Sequence, residues 1–393
     1  MKRNTTYILT LLLAIALISS CSDEKPKRDI LVFTYDSLKF SEDVPGDYST
    51  LENFGGDSIK NVILILGDGV GINQVLASRL MIYGPEGKMY CERFPVTGQS
   101  NTAPDDDNYI TDSGAGATAL ATGIKTGRGM IGMSRDSIVR TSITELFRNQ
   151  GYSTGIISTG QLADATPAGF SVNAPSRKMK HEIAASMSNT GINIFLGNSF
   201  AFDDKVHNGK SAAELALERG YDVIRTKNDF LNSNSNRIIA LIDSMDILRD
   251  VKNKDNQLTL EEVTNKSIQL LNRNEKGFFL MIEEDGTDEY CHNHDIMGLT
   301  TQMKQMDDAI KAAVDFARKD GNTLVIVTAD HETGGLVIVE ANRKTRMMTA
   351  AWATGDHSPQ PVPVYAIGPY SYLFTGYYEN THIPKTIAKI LKF

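Results

Sequence analysis

The sequence predicts an α/β fold built on a mostly parallel β-sheet with helices on both faces. Two observations lead to this prediction: several short runs of Val, Ile and Leu have the length of buried strands, and helical segments lie between several of them. Strands that are apolar throughout are typical of parallel sheets buried on both faces, and alternation with helices supplies the crossover connections. The predicted strands are Val62–Leu66, Ser153–Ser158, Phe278–Ile282, Leu324–Thr328 and Val362–Ile367.

Two of the predicted helices have recognisable ends. Ser142-Ile-Thr-Glu145 has the pattern of a capping box, in which the Ser and Glu side chains satisfy backbone N–H groups of the first turn, and we expect this helix to stop at Gly151. Leu299–Arg318 carries apolar residues at helical spacing and is followed by Asp320 and Gly321, a common helix end. Both segments fit helices that cover a sheet.

Composition and charge limit the classes of function. The chain has 393 residues, 41% hydrophobic and 22% charged, so it can build a large core and wholesale disorder is excluded. A formal net charge of -8 argues against nucleic acid as a partner, because no basic stripe is available to bind phosphates along a duplex. The same charge repels anions, so phosphate chemistry would need a local source of positive charge.

The first residues are expected to direct export. Lys2 and Arg3 form a positive region, and the apolar run Tyr7–Ile18 is too short for an ordinary membrane span. The small residues that end in Cys21 resemble the lipobox of bacterial lipoproteins, which implies acylation of Cys21 and a lipid-anchored protein in the periplasm or at the cell surface. The alternative is a plain signal peptide with a chance cysteine, and both readings take the protein out of the cytoplasm.

This gives three segments. Residues 1–20 are a lipoprotein signal peptide, residues 21–59 are a polar tether and an extension that wraps the surface or reaches a partner subunit, and residues 60–393 are the folded domain. Two cysteines remain, Cys91 and Cys291. One disulfide between them is compatible with an oxidising compartment, but two cysteines so far apart make no disulfide framework, and we expect them to be free.

Side chains of the types that can bind metals follow the predicted strands. They are Asp68, Asp164 with Thr166, Glu283 with Asp288 and His292, and Asp330 with His331. A single aspartate at a strand end can simply cap the next helix, but the carboxyl ends of parallel strands meet at one rim, and converging carboxylates repel one another unless cations neutralise them. Mixed Asp and His ligands suit zinc, and all-oxygen sets suit magnesium. The pattern predicts a site for several metal ions.

The seven histidines divide into three groups. His292, His331 and His357 flank strand ends with acidic or glycine neighbours, and His292 lies four residues after Asp288, so that the two face the same side of a helical turn. His294 is expected in a surface or supporting position. The histidines expected to be solvated surface residues are His181, His207 and His382.

Several motifs, taken together and in order, resemble the alkaline phosphatases. They are ILGDG, TDSGAGATA, DATP, SRK, IEEDGTDEYCH, TADHETGG, and GDH followed by PVPVYAIGP, and they extend from about Val62 to Tyr365. The resemblance implies a three-layer α/β/α sandwich and makes residues 60–393 a catalytic domain. It implies an enzyme that hydrolyses small phosphate monoesters and releases inorganic phosphate.

The same resemblance implies two zinc ions, one magnesium ion and a covalent intermediate. Ser113 matches the nucleophile, which becomes a phosphoserine, and Arg177 matches the arginine that holds the non-transferred phosphate oxygens. The implied ligands are Asp288, His292 and His357 for the zinc ion that generates the attacking hydroxide; Asp68, Asp330 and His331 for the zinc ion that activates the serine; and Asp68, Thr166, Glu283 and, through water, Asp164 for magnesium.

The chemistry of the residues agrees with these roles. A serine hydroxyl is protonated at neutral pH, and no adjacent His-Asp pair is evident to serve Ser113 as a base, so zinc would have to lower its pKa. Arginine offers a planar fork for phosphate. The small residues of YITDSGAGATALATG leave space for metals and phosphate beside the hydroxyl. Asp112 is expected to lie at a helix end or to support the metal ligands from outside, rather than to bind metal itself.

Two features depart from the family pattern. Glu289 stands where relatives carry a basic residue near the phosphate and the magnesium ion, so anion binding or the third metal site is expected to differ. The interval from His331 to His357 is short where larger members place a surface subdomain that contributes to the dimer. We therefore expect a reduced subdomain and a more open site, and a homodimer remains only a candidate state.

Three alternatives compete with this interpretation. A phosphodiesterase or sulfatase of the same superfamily is the nearest, but diesterases usually lack the magnesium ligands and the arginine, and no sulfatase modification motif surrounds Ser113. The second is a non-catalytic surface lipoprotein that binds metal or phosphate. A missing ligand or nucleophile would have supported it, but none is missing. The third, nucleotide binding at 67–71, has an incomplete glycine pattern and an aspartate that would face the phosphates.

Overall fold

A ten-stranded β-sheet forms the centre of the protein, whose computed structural model describes residues 35–41, 49–243 and 257–393. The strands of the described residues are β1 (Tyr35–Lys39), β2 (Asn61–Gly67), β3 (Val96–Asn101), β4 (Ser153–Gln161), β5 (Ile194–Asn198), β6 (Asp222–Ile224), β7 (Ile238–Leu241), β8 (Phe278–Glu284), β9 (Thr323–Thr328), β10 (Glu332–Thr333), β11 (Val337–Asn342), β12 (Met347–Ala351), β13 (His357–Ser358), β14 (Val362–Ile367) and β15 (Gly376–Glu379).

The α-helices lie between these strands and after the last of them. Those of the described residues are α1 (Ile72–Tyr83), α2 (Ser113–Thr122), α3 (Ile143–Asn149), α4 (Ala165–Ser171), α5 (Lys180–Met187), α6 (Ala212–Glu218), α7 (Lys227–Asn232), α8 (Leu260–Leu271), α9 (Gly286–His292), α10 (Ile296–Asp320) and α11 (His382–Leu391). Within the described ranges, no helix is both long enough and apolar enough to span a bilayer.

The central sheet has the strand order β15-β3-β14-β9-β2-β8-β4-β5-β7-β6. Nine of these strands run in one direction, and β14 alone is antiparallel to both of its neighbours. All five predicted strands are present, so the mostly parallel sheet is confirmed. The reversal of β14 has a simple cause: no helix separates it from β9, and a parallel return would need a crossover of a dozen or more residues, usually helical.

Helices cover both faces of the sheet. Every residue of β2 and of β8 is buried, and alternate side chains of β2 enter different apolar clusters. Ile63 and Ile65 pack on the side of α1, α8 and α10, whereas Val62, Leu64 and Leu66 pack on the side of α2 to α6 and α11. Because successive side chains of a strand point to opposite faces, these two clusters define the predicted three-layer α/β/α arrangement.

The two helices with predicted ends begin and end close to those positions. The Ser142 hydroxyl accepts the backbone N–H of Glu145 at 3.1 Å, so Ser142 is the N-cap of α3. A cap of this kind contributes about 1 kcal/mol. Helix α10 runs from Ile296 to Asp320, slightly longer than predicted, and ends where Gly321 adopts φ +74°, a left-handed conformation that favours glycine.

The short interval before His357 holds a small separate sheet. Strand β1 pairs antiparallel with β12, which also pairs with β11. The extension before residue 60 therefore supplies a strand to this sheet, a pairing that its sequence did not indicate. Cys91 and Cys291 are both buried and free, as expected. Cys21 and the predicted signal peptide lie outside the described residues.

Candidate active site

The candidate site lies at one rim of the central sheet, beyond the carboxyl ends of its middle strands. Asp68 follows β2, Glu283 lies near the end of β8, and Asp330 follows β9 by two residues. All three carboxylates are at least 95% buried, with exposures of 5%, 1% and 1%. Parallel strands of one sheet present their carboxyl ends on the same side, which explains why residues far apart in sequence meet here.

Ser113 is the first residue of α2 and is buried, with 4% exposure. Asp112 is the N-cap: its Oδ1 accepts the N–H of Ala115 at 3.1 Å and the N–H of Gly129 at 2.9 Å. Ser113 Oγ lies 3.2 Å from Nε2 of His331. The hydroxyl therefore sits at the positive end of a short helix and against an imidazole that belongs to the predicted metal site.

The small residues of α2 allow the helix to approach the end of β9. A Cβ added to Gly116 would lie 2.8 Å from the backbone oxygen of Asp330, closer than real Cβ atoms come to other atoms. A Cβ added to Gly114 would lie 3.1 Å from Cα of Gly129. Gly116 therefore sets the distance between the helix that carries Ser113 and the strand end that carries Asp330, and Gly114 allows the same helix to approach the backbone at Gly129.

Arg177 is held by two carboxylates, one of which belongs to Asp112, the residue before Ser113. Its Nη1 donates to Asp112 Oδ2 at 3.1 Å, and its Nη2 donates to Asp164 Oδ1 at 3.0 Å. Lys180 Nζ lies 2.5 Å from the same oxygen of Asp164. Burial acts to lower the pKa of Arg177, but the charges of Asp164 and Asp112 outweigh it and raise that pKa. Arg177 is a fixed cation beside Ser113.

Two of the three site histidines are oriented by backbone carbonyls. His357 Nδ1 donates to the carbonyl of Thr111 at 2.8 Å, and His292 Nδ1 donates to the carbonyl of Gly355 at 2.9 Å. A donating Nδ1–H leaves the lone pair on Nε2, and such outer partners are usual for metal-binding histidines. The β10-β13 ladder brings His357 opposite Thr333, so that its ring stacks on that of His331 with centroids 3.6 Å apart.

Three groups of side chains could each hold a metal ion, since their ligand atoms lie within 4.8 Å of one another. The groups are Asp68 with Asp330 and His331; Asp288 with His331 and His357; and Asp68 with Glu283 and Asp285. His292 adjoins the second group, because its Nε2 lies 3.1 Å from Asp288 Oδ2. The predicted zinc ligands thus lie together, and the first group coincides with one predicted set.

Buried oxygen atoms that accept no hydrogen bond provide a test of whether cations fit. Among the described residues, Asp68 Oδ1, Asp330 Oδ2, Glu283 Oε2 and Thr166 Oγ1 are buried and make no hydrogen bond. Burial and then the neighbouring carboxylates raise the pKa of Asp68 and of Glu283 well above their ordinary values. Unpaired buried charge is costly unless a cation compensates it. Divalent metal ions therefore fit this donor set.

Asp288 and the histidines around it shift one another's pKa values. The hydrogen bond to Asp288 raises the pKa of His292 to about 9. Burial acts to raise the pKa of Asp288, but the hydrogen bond from His292 and the charges of His331 and His357 outweigh it and hold that pKa below its ordinary range. Burial lowers the pKa of His331, which favours the neutral ring that binds metals.

A cavity of about 340 Å³ opens over these groups. Ser113, Arg177, Asp288 and His292 all line it, so the nucleophile candidate, the fixed cation and the metal-binding side chains face one space. Glu289 also lines this cavity and is exposed. The volume is that of a small-molecule site.

Some residues of the site were not predicted. Asp285 is the most important, because it joins Asp68 and Glu283 in the third group, and its only sequence signal is its position directly after β8. Thr333 is a second, since its hydroxyl donates to Asp288. The histidines outside the metal groups have other partners: His294 stacks on Trp352, His181 pairs with Asp204, His207 meets the His181 carbonyl, and His382 meets the Leu373 carbonyl.

Comparisons with known proteins agree with this geometry. The model of the alkaline phosphatase family matches residues 59–198, 197–343 and 338–393. Alkaline phosphatase 3 of Bacillus subtilis (strain 168) is 30% identical, with 94% of this chain and 98% of the relative covered. The structure of alkaline phosphatase from the Antarctic bacterium TAB5 is 30% identical, with a TM-score of 0.76, and covers 86% of this chain and 99% of its own.

A solved variant of that Antarctic enzyme, with Mg bound in its M3 site, is also similar. It has a TM-score of 0.75 and 30% identity, and the match again covers 86% of this chain and 99% of the other. The model match spans the folded domain from end to end, and the structural match spans most of the chain. The similarity therefore concerns the whole architecture and not an isolated motif.

Proposed function

The chain belongs to the alkaline phosphatase family and is a phosphatase of phosphate monoesters, and from this premise we propose that it acts through a phosphoserine at Ser113. The observation that carries the proposal is the position of Ser113 Oγ, 3.2 Å from His331 Nε2 at the N-terminus of α2 and in one cavity with Arg177. A nucleophile, a phosphate-binding cation and the metal-binding side chains are thus in reach of one phosphoryl group.

The reaction consists of two displacements at phosphorus. In the first, Ser113 Oγ forms a bond to phosphorus while the ester P–O bond breaks and the alcohol leaves. In the second, water attacks the phosphoserine, the Oγ–P bond breaks, and inorganic phosphate is released with Ser113 restored. Arg177 would bind two non-transferred oxygens with its guanidinium fork, and the free N–H groups at the start of α2 would add to their binding.

Asp112 and Asp164 act on the substrate through Arg177. Their carboxylates fix both terminal nitrogens of the guanidinium, at 3.1 and 3.0 Å, so the fork is oriented before phosphate arrives. Fixed orientation reduces the entropy lost on binding and is a general source of affinity. The local positive charge also overcomes the acidic surface of the chain.

The proposal includes two zinc ions and one magnesium ion. Asp288, His292 and His357 would hold one zinc ion, Asp68, Asp330 and His331 the other, and Asp68, Thr166 and Glu283 the magnesium ion. When bound, the zinc ions would supply the Lewis acidity that makes the serine hydroxyl and then water reactive. The buried oxygens of Asp68, Asp330, Glu283 and Thr166, which converge at this rim and make no regular hydrogen bond, support these assignments.

A comparison of two substrates tests the reaction class. We expect the purified protein to hydrolyse p-nitrophenyl phosphate at alkaline pH, to lose this activity with a chelator, and to regain it with zinc and magnesium. Bis-(p-nitrophenyl) phosphate should be cleaved more slowly, because a diester cannot offer Arg177 the dianionic phosphate that this site binds. Faster cleavage of the diester would instead establish the phosphodiesterase alternative.

A trapping experiment separates the enzyme from a non-catalytic binding protein. The protein is incubated with a radiolabelled phosphate monoester at acidic pH, quenched and digested, and the labelled peptide is sequenced. We expect phosphate on Ser113 and none in the Ser113→Ala variant. Metal and phosphate binding without a labelled serine would support the alternative of a non-catalytic surface lipoprotein.

The proposal also covers location and assembly. We propose that Cys21 is acylated and anchors the exported protein to a membrane in the periplasm or at the cell surface, on the strength of the lipobox-like sequence before it. Cys21→Ser should move the protein from the membrane fraction to the soluble fraction, and an unchanged distribution would contradict the anchor. A homodimer rests on the family likeness alone, and light scattering of the detergent-solubilised full chain tests it.

A further inference from the structure

Asp285 is an acidic residue of the site to which the family pattern gives no role. It follows β8 directly and is the N-cap residue of α9. One of its oxygens lies within 4.8 Å of ligand atoms of both Asp68 and Glu283. The ligands implied for the third cation by resemblance are Asp68, Thr166, Glu283 and, through water, Asp164, so Asp285 is an addition to that set.

The space that Asp285 faces contains the buried oxygens of Glu283 and Thr166. Glu283 is 1% exposed and its Oε2 makes no hydrogen bond within the described ranges. Thr166 is 2% exposed, and its hydroxyl lies beside the carboxylate of Glu283, whose ionised form it favours together with Ser158. Carboxylate and hydroxyl oxygens that converge in a buried place are the surroundings that a hard divalent cation requires. These oxygens belong to Glu283 and Thr166, so they point to a cation site without reference to the carboxylate of Asp285.

The carboxylate of Asp164 is already bound by groups other than a third cation. Its Oδ1 accepts the backbone N–H of Ala165 at 2.6 Å and the guanidinium of Arg177 at 3.0 Å, and Lys180 Nζ lies 2.5 Å from it. Two cations and a helix N-terminus therefore compensate its charge. A residue held in this way is poorly placed to supply the negative charge that balances a third divalent ion.

Gly160 provides the room for Asp285. A Cβ added to Gly160 would lie 2.8 Å from Cβ of Asp285 and nearer still to its carboxylate, with no other group closer. The side chain of Asp285 thus lies directly over the backbone of β4 at this residue. Any side chain at position 160 would push Asp285 from its place, so the glycine and the aspartate form one matched pair.

We propose that Asp285 is a direct ligand of the third cation, which it binds together with Asp68, Glu283 and the Thr166 hydroxyl. This inference rests on the third cation site of the proposed function and changes its composition: three carboxylates bind the ion, and Asp164 is left to Arg177 and Lys180. A set of three carboxylates and a hydroxyl favours hard divalent cations such as Mg²⁺ and Mn²⁺. Glu289, the other unusual acid, belongs to none of the metal-binding groups among the described residues.

Binding of Mn²⁺ to the zinc-saturated full-length protein tests this proposal without any measurement of turnover. Free Mn²⁺ is quantified by its electron paramagnetic resonance signal. Displacement of bound Mn²⁺ by Mg²⁺ then gives the affinity of the same site for Mg²⁺. We expect Asp285→Asn to raise the Kd for Mn²⁺ at least about tenfold, since even partners that only orient ligands change affinity by that much. Glu289→Gln removes the same charge at an exposed position and should change the Kd less than about threefold.

Gly160→Ala gives an independent result, because it displaces Asp285 while every carboxylate is retained. It should raise the Kd about as much as Asp285→Asn, and the double variant should lose little more. Equal effects of Asp285→Asn and Glu289→Gln would overturn the proposal in favour of general electrostatics, as would an unchanged Kd in well-folded Asp285→Asn. Because Mn²⁺ binding is measured directly, this result would stand even if the protein proved not to be a phosphatase. Wild-type protein that binds no Mn²⁺ would refute the proposal that Asp285 binds the third cation.

Discussion

Asp112 connects the helix of Ser113 to Arg177: one of its carboxylate oxygens caps α2, and the other accepts the guanidinium of Arg177 at 3.1 Å. The hydrogen bonds from Gly129 and Ala115 and the charge of Arg177 hold the pKa of Asp112 below its ordinary value despite burial. A single ionised side chain thus sets both the start of the helix that carries Ser113, the proposed nucleophile, and the direction of Arg177, the proposed phosphate-binding cation.

Substitution of Asp112 should therefore affect stability and phosphate binding together. Asp112→Ala removes the cap and should lower the free energy of unfolding by about 1 kcal/mol or more, and it should weaken competitive inhibition by inorganic phosphate because Arg177 loses a partner. Ser142→Ala is the matched control, since it removes the cap of α3 away from the site. Urea unfolding and the inhibition constant for phosphate measure the two effects. An inhibition constant that changes equally in both variants would contradict this role.

Ser113→Ala should abolish turnover without loss of the fold or of metal. We expect kcat to fall by at least about 10³-fold, as removal of a nucleophile does in other hydrolases. Zinc content and the unfolding midpoint should stay at wild-type values, because Ser113 Oγ contacts His331 but makes no contact that holds the core. Residual activity above about one tenth of wild type would show that another group attacks phosphorus.

Gly116→Ala sets helix propensity against packing. Alanine is the better helix former by about 1 kcal/mol, but its Cβ would lie 2.8 Å from the Asp330 carbonyl oxygen, where backbone has to move. We expect packing to win, with a lower unfolding midpoint and weaker zinc binding. Gly56→Ala is the control, because nothing lies within 4 Å of the added Cβ. A stabilised Gly116→Ala protein with normal zinc affinity would show that α2 and the end of β9 can separate freely.

Asp307 should make stability depend on pH. Burial raises its pKa from 3.8 to about 6, although Tyr83 and the N–H of Tyr90 donate hydrogen bonds to it. The folded state therefore binds this proton more tightly than the unfolded state does, and between these pKa values the free energy of unfolding falls as pH rises, by up to about 3 kcal/mol.

The Asp307→Asn variant isolates this contribution. The free energy of unfolding of wild type minus that of Asp307→Asn should decrease as pH rises from about 4 to about 6 and be constant at higher pH. Urea unfolding over this range measures the difference. Asp308→Asn is the control, because this neighbouring carboxylate on α10 pairs with Lys304 near the surface. A difference that is independent of pH would mean that Asp307 is ionised in the fold throughout.

Local patterns predicted much of the fold, because burial on both faces of a parallel sheet leaves a signal within each strand. Val62–Leu66 is apolar throughout and Leu324–Thr328 is apolar up to its last residue, and both are strands at the centre of the sheet. The direction of β14 left no such signal, since an apolar strand reads the same in either direction. The pairing of β1 with β12 also depends on a distant partner, which no local pattern specifies.

The same distinction applies to the site. Asp68, Asp330 and His331 could be predicted because they follow strong strand signals, and the structure brings them together. Asp285 was missed because an acid in the run Glu283-Glu284-Asp285 has several ordinary explanations, including a helix cap. What distinguishes it is the space above Gly160, more than a hundred residues earlier in sequence. Contacts between distant segments decide such roles, and a single sequence does not display them.

The strand order has a consequence for the time course of folding. Strand β2 is among the first strands synthesised, yet both of its neighbours, β8 and β9, come more than two hundred residues later. Such non-local pairing is slow to form, because the entropy cost of closing long loops comes before the stabilising contacts form. The middle of the sheet can therefore form only after most of the chain has been synthesised. The last of the clustered histidines is residue 357. A metal ion bound by His357, as we propose, can accordingly be captured only by a nearly full-length chain.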